Sequence, residues 1–365
     1  MLPSVGHSRS VCFVLMVVIL ATALTNQGRG DAAREGRLRM VHGMTTGFGV
    51  NGRMISWEGS GRVVAADLES GRRFSVARGA GGNSPVPMAL SGSTVLWLDT
   101  TGGLSQEVTL FTASPRMART RLARWYPDTS ASAPIGSLFG GVAGHGRTLA
   151  FALYKLSPPR GNPEACYERP CRRRVAGGGV FRITPGSLAV RRVLPPAQAI
   201  AATDQAIAAA VLHPRSVYTG KAQVVVRDIR NGARRSIGQP ASVLALGLDR
   251  THVAALIGPE SGSPRRLRLW STATGSLVRS FRVPKIERVV VLSGSHAVLR
   301  LGGTIFTLNI RSGQRHVLSR YRPKESSRYG PWVADGRVLW IESYDQGSPT
   351  ARSLIRSAPL PGPAG

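Results

Sequence analysis

The chain has 365 residues, of which 42% are hydrophobic, 18% charged and 6% aromatic. It is too apolar for wholesale disorder and too long for one small core, which leaves one large repeat domain or two ordinary ones. Its 43 Gly and 24 Pro carry no collagen period and favour many turns over long helices, and a formal charge of +29 suits an anionic partner.

That charge comes from 44 Arg and four Lys against 19 acids. It is dispersed: the densest basic run is Arg172-Arg173-Arg174, too short for a nucleic-acid arm. Arg enriched together with Ala, Gly and Pro also fits a GC-rich genome without any function.

Residues 1–24 read as a signal peptide. A start with His7 and Arg9 and no acid leads into the apolar run Val11 to Leu24 and an Ala21-Thr22-Ala23 step. The run would make about 21 Å of helix, short of a hydrocarbon core of about 30 Å. An uncleaved signal-anchor, the one route to a membrane, is the alternative. Residues 25–36 then form a linker, 37–360 one domain and 361–365 a tail. Export implies a periplasmic, cell-surface or extracellular setting.

Within the domain, a turn residue or Gly followed by a short β-rich run occurs seven times. The copies are NGRMISW (51–57), SGSTVLW (91–97), GHGRTLAF (144–151), TDQAIAAAV (203–211), DRTHVAAL (249–256), SGSHAVLR (293–300) and ADGRVLWI (334–341). Their spacing suits propeller blades. After most copies comes a hairpin phrase: 63–76, 180–190, 224–237, 267–281 and 305–318. Each hairpin carries a Gly at the same place (Gly71, Gly186, Gly232, Gly275, Gly313), where a tight reversal needs positive φ. The second copy, 108–120, turns on Ser114-Pro115 instead. A short apolar segment precedes each repeat phrase from the second copy onward.

Four strand candidates per unit, a to d, predict an all-β, seven-bladed β-propeller of four-stranded antiparallel blades. The last unit stops after its c strand (353–360), and RLRMVHG (37–43) supplies the missing outer strand. Segment 197–212 is alanine-rich and could form a helix, but it falls in register as two strands. LRLWSTATGSLVRSF (267–281), with Trp270 in the tryptophan slot, resembles a WD-repeat blade, and the other units resemble the looser WD-repeat and TolB-like propellers.

Catalytic constellations are hard to find. The His residues show no zinc spacing, and no G-x-S-x-G elbow occurs. GFGVNG (47–52) precedes a strand and reads as turn glycines. Asp67, Asp228 and Asn309 read as turn caps, and Trp57, Trp97 and Trp340 as core. Glu58 and Glu342 end equivalent b strands and are either structural or an acid/base pair. No cofactor and no metal is expected.

Cys166 and Cys171 in CYERPC suit a disulfide across a small loop; half a metal site is the alternative. In a propeller the b–c and d–a loops share one face, and here those loops are the long ones. Trp125, Tyr126, Tyr154, Tyr167, Arg172, Arg173, Arg174, Tyr218, Arg265, Arg266, Tyr321, Tyr329 and Tyr344 map to it. Aromatic and Arg side chains together make a recognition surface. The expected function is an exported, non-enzymatic binding or scaffold module that engages a protein or an anionic envelope polymer through this face. The alternative is a secreted propeller hydrolase or lyase acting on a glycan or lactone.

Overall fold

The computed structural model describes residues 36–42, 48–59, 61–79, 86–101, 107–125, 137–157, 173–217, 219–258, 265–283, 290–301, 303–320, 327–334, 336–344 and 352–361. The signal segment, Cys166 and Cys171 lie outside them. The strands are β1 (Gly36–His42), β2 (Phe48–Asn51), β3 (Met54–Gly59), β4 (Arg62–Asp67), β5 (Arg73–Arg78), β6 (Val86–Ser91), β7 (Thr94–Thr101), β8 (Glu107–Ser114), β9 (Met117–Trp125), β10 (Ser137–His145), β11 (Thr148–Leu156), β12 (Val175–Ile183), β13 (Val190–Leu194) and β14 (Ala197–Ala202). They continue as β15 (Ala206–Val211), β16 (Ala222–Asp228), β17 (Arg234–Ala241), β18 (Val243–Leu248), β19 (His252–Ile257), β20 (Arg265–Ser271), β21 (Leu277–Val283), β22 (Val290–Ser293), β23 (His296–Leu301), β24 (Thr304–Asn309), β25 (Arg315–Ser319), β26 (Ser327–Ala334), β27 (Arg337–Tyr344) and β28 (Arg352–Pro359).

These strands form seven antiparallel sheets of four. Blades 1 to 6 take consecutive quartets from β2 to β25. Blade 7 is ordered β26-β27-β28-β1, so the first strand closes the ring on the last, with Met40 opposite Leu354. The closure removes a pair of exposed sheet edges.

The core is seven clusters of buried residues, one at each junction between neighbouring blades. The b strands explain this. Successive side chains on a strand point to opposite faces, and each face of a b strand meets a different neighbour. On β11, Leu149, Phe151 and Leu153 pack toward blade 2, while Ala150 and Ala152 pack toward blade 4. On β15, Ile207 and Ala209 pack toward blade 3, while Ala208 and Ala210 pack toward blade 5. Such strands must be apolar throughout. This is why the alanine-rich 197–212 forms strands: alanine's helix preference is well under 1 kcal/mol per residue, less than the burial and pairing that two strands gain here. The three tryptophans assigned to the core are buried, Trp57, Trp97 and Trp340 alike.

The c–d hairpins behave as their glycines require. Gly71, Gly186, Gly232, Gly275 and Gly313 all have positive φ. In three blades an Asp or Asn side-chain oxygen caps the turn. Asp67 Oδ1 accepts from the amides of Glu69 and Ser70, Asp228 Oδ1 from those of Arg230 and Asn231, and Asn309 Oδ1 from those of Arg311 and Ser312. The Ser70 amide is the main reason that the Asp67 carboxyl sits below its usual pKa. GFGVNG needs one correction. Gly52 is a turn glycine with φ near +54°, but Gly49 lies within β2. There a Cβ would come within 2.8 Å of Ser56 Oγ, so close packing, not a turn, asks for glycine.

Candidate functional site

The innermost strands β2, β6, β10, β14, β18, β22 and β26 surround a central channel of about 250 Å³. Its walls are Val, Ala, Leu, Ile and Gly, with Met88, Trp332 and Ser293, and His145 at one end. At that end the β10–β11 turn is tied to blades 1 and 2. Asn51 of blade 1 donates to the carbonyls of Leu90 and Gly146 and accepts from the Gly146 amide. Ser91 donates to the same Gly146 carbonyl.

Beside this turn lies a cleft of about 300 Å³ lined by His145, Asp204, Asp249 and Thr251, among others. His145 Nδ1 stands 3.8 Å from Asp204 Oδ1, and both side chains are about half exposed. Asp204 Oδ1 also accepts from the Arg147 amide. Asp249 Oδ1 is taken up by the amides of Thr251 and His252. By sequence, Asp204, Asp249 and Asp335 start b strands on the turn-rich side, opposite the long loops; the structure sets Asp204 beside His145, and Asp335 lies outside the described residues.

The residues expected on the long-loop face separate into three groups. Tyr126, Tyr167, Arg172, Tyr218 and Tyr321 lie outside the described residues, and Trp125 is placed only as the last position of β9. Arg174 and Arg266 are exposed and Tyr154 is half-buried. The rest face inward. Arg173 and Arg265 are buried at 9% and 4% exposure, so they add nothing to an open surface. Tyr329 packs against Phe48 at 5.6 Å between ring centroids. The Tyr344 hydroxyl donates to Glu342 at 2.7 Å. Exposed loop chemistry and burial compete for such side chains, and here blade closure took several of them inward.

Glu342 is the centre of that closure. Its carboxylate is fully buried in blade 7. Oε1 accepts from Arg328 at 3.1 Å and Trp340 Nε1 at 3.0 Å. Oε2 accepts from Arg356 Nε at 2.9 Å and from Tyr344. Burial opposes its ionisation, but the hydrogen bonds from Trp340, Tyr344 and Arg356, with the Arg356 charge, outweigh it and hold the carboxyl below the usual range. Arg328 also donates to the carbonyls of Gly303 and Arg320, which ties blade 7 to blade 6. Glu342 is therefore structural and not half of an acid/base pair. Glu58 is likewise committed, accepting from the Gly61 amide at 2.8 Å.

The outer strands hold what the sequence concealed. The seven d-position strands, β1, β5, β9, β13, β17, β21 and β25, contain fourteen arginines and no carboxylate. All twelve outside β1 are exposed: Arg73, Arg78, Arg119, Arg121, Arg124, Arg191, Arg192, Arg234, Arg235, Arg279, Arg282 and Arg315. Several guanidiniums lie across blade junctions and donate to a carbonyl of the preceding blade: Arg119 to Arg78, Arg234 to Val193 and Arg315 to Arg282. Others sit over rings, Arg73 on Trp57 and Arg279 on Phe281. Among the described residues, Glu107, which pairs with Arg124, is the only carboxylate in an ion pair with any of them. Part of the dispersed charge of the sequence, fourteen of its 44 arginines, is thus gathered on the outer strands.

No family model matches the chain, and no curated protein matches it either. Solved structures do. The chain is similar to the β-propeller domain of the Trilobed protease from Pyrococcus furiosus, at 9% identity over 88% of this chain and 98% of that one, with a TM-score of 0.51. It is also similar to an oligogalacturonate lyase in complex with manganese, at 12% identity over 85% and 86%, TM-score 0.50. A third likeness, to Citrobacter koseri AztD, covers 76% and 71% at 12% identity, TM-score 0.45. The chain is a seven-bladed β-propeller. The archaeal domain has an open velcro topology, whereas here β1 closes the seventh blade. At these identities the likeness establishes the fold, and a propeller fold does not choose a function.

Proposed function

We propose that the protein is an exported, non-enzymatic binding module for an anionic polymer of the cell envelope, engaged through the arginine rim in addition to the long-loop face. One observation carries the reading: the outer strands collect fourteen arginines with no carboxylate among them. Paired surface charges have small effects on stability, so interblade bonding alone does not require so one-sided a set. A set of exposed arginines on the outer strands raises the local concentration of polyanions and suits repeated carboxylate or phosphate groups, which guanidinium forks bind in bidentate fashion.

The test is retention of the folded protein on immobilised polyphosphate across a salt gradient. Strong retention at low ionic strength that fades as salt rises supports the reading. No retention at low salt, or retention unchanged in an Arg121→Gln, Arg235→Gln, Arg282→Gln variant, contradicts it.

The second reading, a hydrolase or lyase, rests on the His145–Asp204 pair beside the channel mouth. A His145→Ala variant that abolishes turnover of a glycan or lactone would establish it.

A further inference from the structure

One part of the rim differs from the rest. Between blades 3 and 4 a cleft of about 150 Å³ opens beside the c–d turns. Its floor is apolar, formed by Val193, Ile207 and Ile229, and its walls are Arg182, Arg191 and Arg227. Arg234 stands next to them and donates to the Val193 carbonyl at 3.2 Å; Arg227 donates to the same oxygen.

Arg182 lies directly opposite Arg191 across β12 and β13, and Arg227 directly opposite Arg234 across β16 and β17. Like charges in register on adjacent strands repel and destabilise the sheet. Arginine pairs in register also occur as Arg62–Arg78 and Arg266–Arg282; what sets this place apart is that members of two such pairs share one cleft. Three of the four arginines here, Arg182, Arg191 and Arg227, line that cleft, and no carboxylate lines it; Arg234 lines the neighbouring cleft. The nearest acid in sequence, Asp228, caps its own turn and lines the neighbouring cleft between blades 4 and 5. The Nε of Arg182 is buried without a hydrogen-bond partner among the described residues. A buried donor left unsatisfied is costly unless something occupies the space before it. Burial, then the charges of Arg234 and Arg191, hold the Arg227 guanidinium below its usual pKa, as expected where positive potential is uncompensated.

We propose that this cleft is a subsite for one tetrahedral oxyanion, a phosphate or sulfate group, held by the guanidiniums of Arg182, Arg191 and Arg227. Such a group has several acceptor oxygens for several forks, and it turns three mutually repelling guanidiniums into a shared ion cluster. The proposal deepens the polyanion reading by naming the group recognised, and it rests on that reading only for the source of the group. A free ion and the pendant group of a polymer present the same chemistry to the cleft.

Calorimetric titration with inorganic phosphate tests it on the full chain. Saturable binding of one phosphate is expected, with affinity falling at least tenfold in an Arg182→Gln, Arg191→Gln variant. An Arg116→Gln, Arg311→Gln variant loses the same charge elsewhere and keeps its affinity within twofold. The cleft variant relieves repulsion, so its melting temperature without phosphate stays level or rises, and its failure to bind cannot be put down to misfolding. Absence of saturable binding by the unaltered protein, equal binding by the cleft variant, or equal losses in both variants overturns the subsite. Retention on polyphosphate separates the two readings. A retained protein that ignores inorganic phosphate keeps the rim and loses the subsite. A protein that binds phosphate in the cleft but is not retained keeps the subsite, as a site for the free ion, and loses the rim.

Discussion

Blade 7 and the outer rim use the same side chain in opposite ways. In blade 7, Arg328 and Arg356 are buried around one carboxylate and every oxygen of Glu342 has two donors. On the rim, twelve arginines are exposed, with one carboxylate pairing to them among the described residues. The difference teaches that an arginine's role is set by whether the fold brings an acid to it. Where three strands converge on Glu342 the arginines close the ring. Where the outermost strands offer no acid, they stay exposed, several of them bonded to carbonyls of a neighbouring blade or set over rings.

The largest effect should come from breaking the buried side of the contrast. Glu342→Gln leaves two guanidiniums buried without their counter-charge and should cost about 3–5 kcal/mol, measured by urea unfolding. The same pair of states predicts a pH dependence. The folded pKa of Glu342 is depressed, so its contribution is fully present above the unfolded value of about 4.3 and is lost as pH falls through the lower folded value. The acid limb of the stability curve should therefore flatten in Glu342→Gln. A variant whose acid limb matches that of the unaltered protein would show that the cluster contributes nothing.

Next in size is a packing test away from charge. A Cβ at Gly140 would lie 2.0 Å from the Ala197 carbonyl oxygen, so Gly140→Ala should cost about 1–3 kcal/mol as β10 is pushed from β14. A neutral outcome would mean the inner strands are less closely packed than described. Smaller again is the rim. Arg121→Gln, Arg235→Gln and Arg282→Gln should each change stability by no more than about 0.5 kcal/mol. Together they should lower the salt slope of polymer binding by about one for each guanidinium removed from the polymer. Smallest is His296, which burial, aided by the His316 charge, holds below its usual pKa. The unfolded chain takes up that proton first, so stability should slip as pH drops below about 6.5, and His296→Asn should remove that slope.

The fold was legible because its signals are local. A hairpin glycine with positive φ and an Asp or Asn cap need only a few neighbouring residues, and Gly71, Gly232 and Gly313 announce three hairpins in one phrase. The closure by β1 was legible because the last unit lacked a strand. The site was not, because it is assembled radially. Arg73, Arg234 and Arg315 each follow a hairpin glycine by two residues, yet along the chain they are scattered charge. Only the ring places them on one circumference. That offset from the turn glycine was the available signal. Glu342 was visible as a b-strand carboxylate, but Arg328 and Arg356 arrive from two other strands and carry no spacing that marks them.

The most direct test of the account is arginine-selective chemical modification, mapped by mass spectrometry with and without polyphosphate. Arg328 and Arg356 should stay unreactive in both states, while Arg121, Arg235 and Arg282 should react freely alone and be protected by the polymer. Protection confined to Arg174 and Arg266, or none at all, would contradict the claim that the rim is the binding surface.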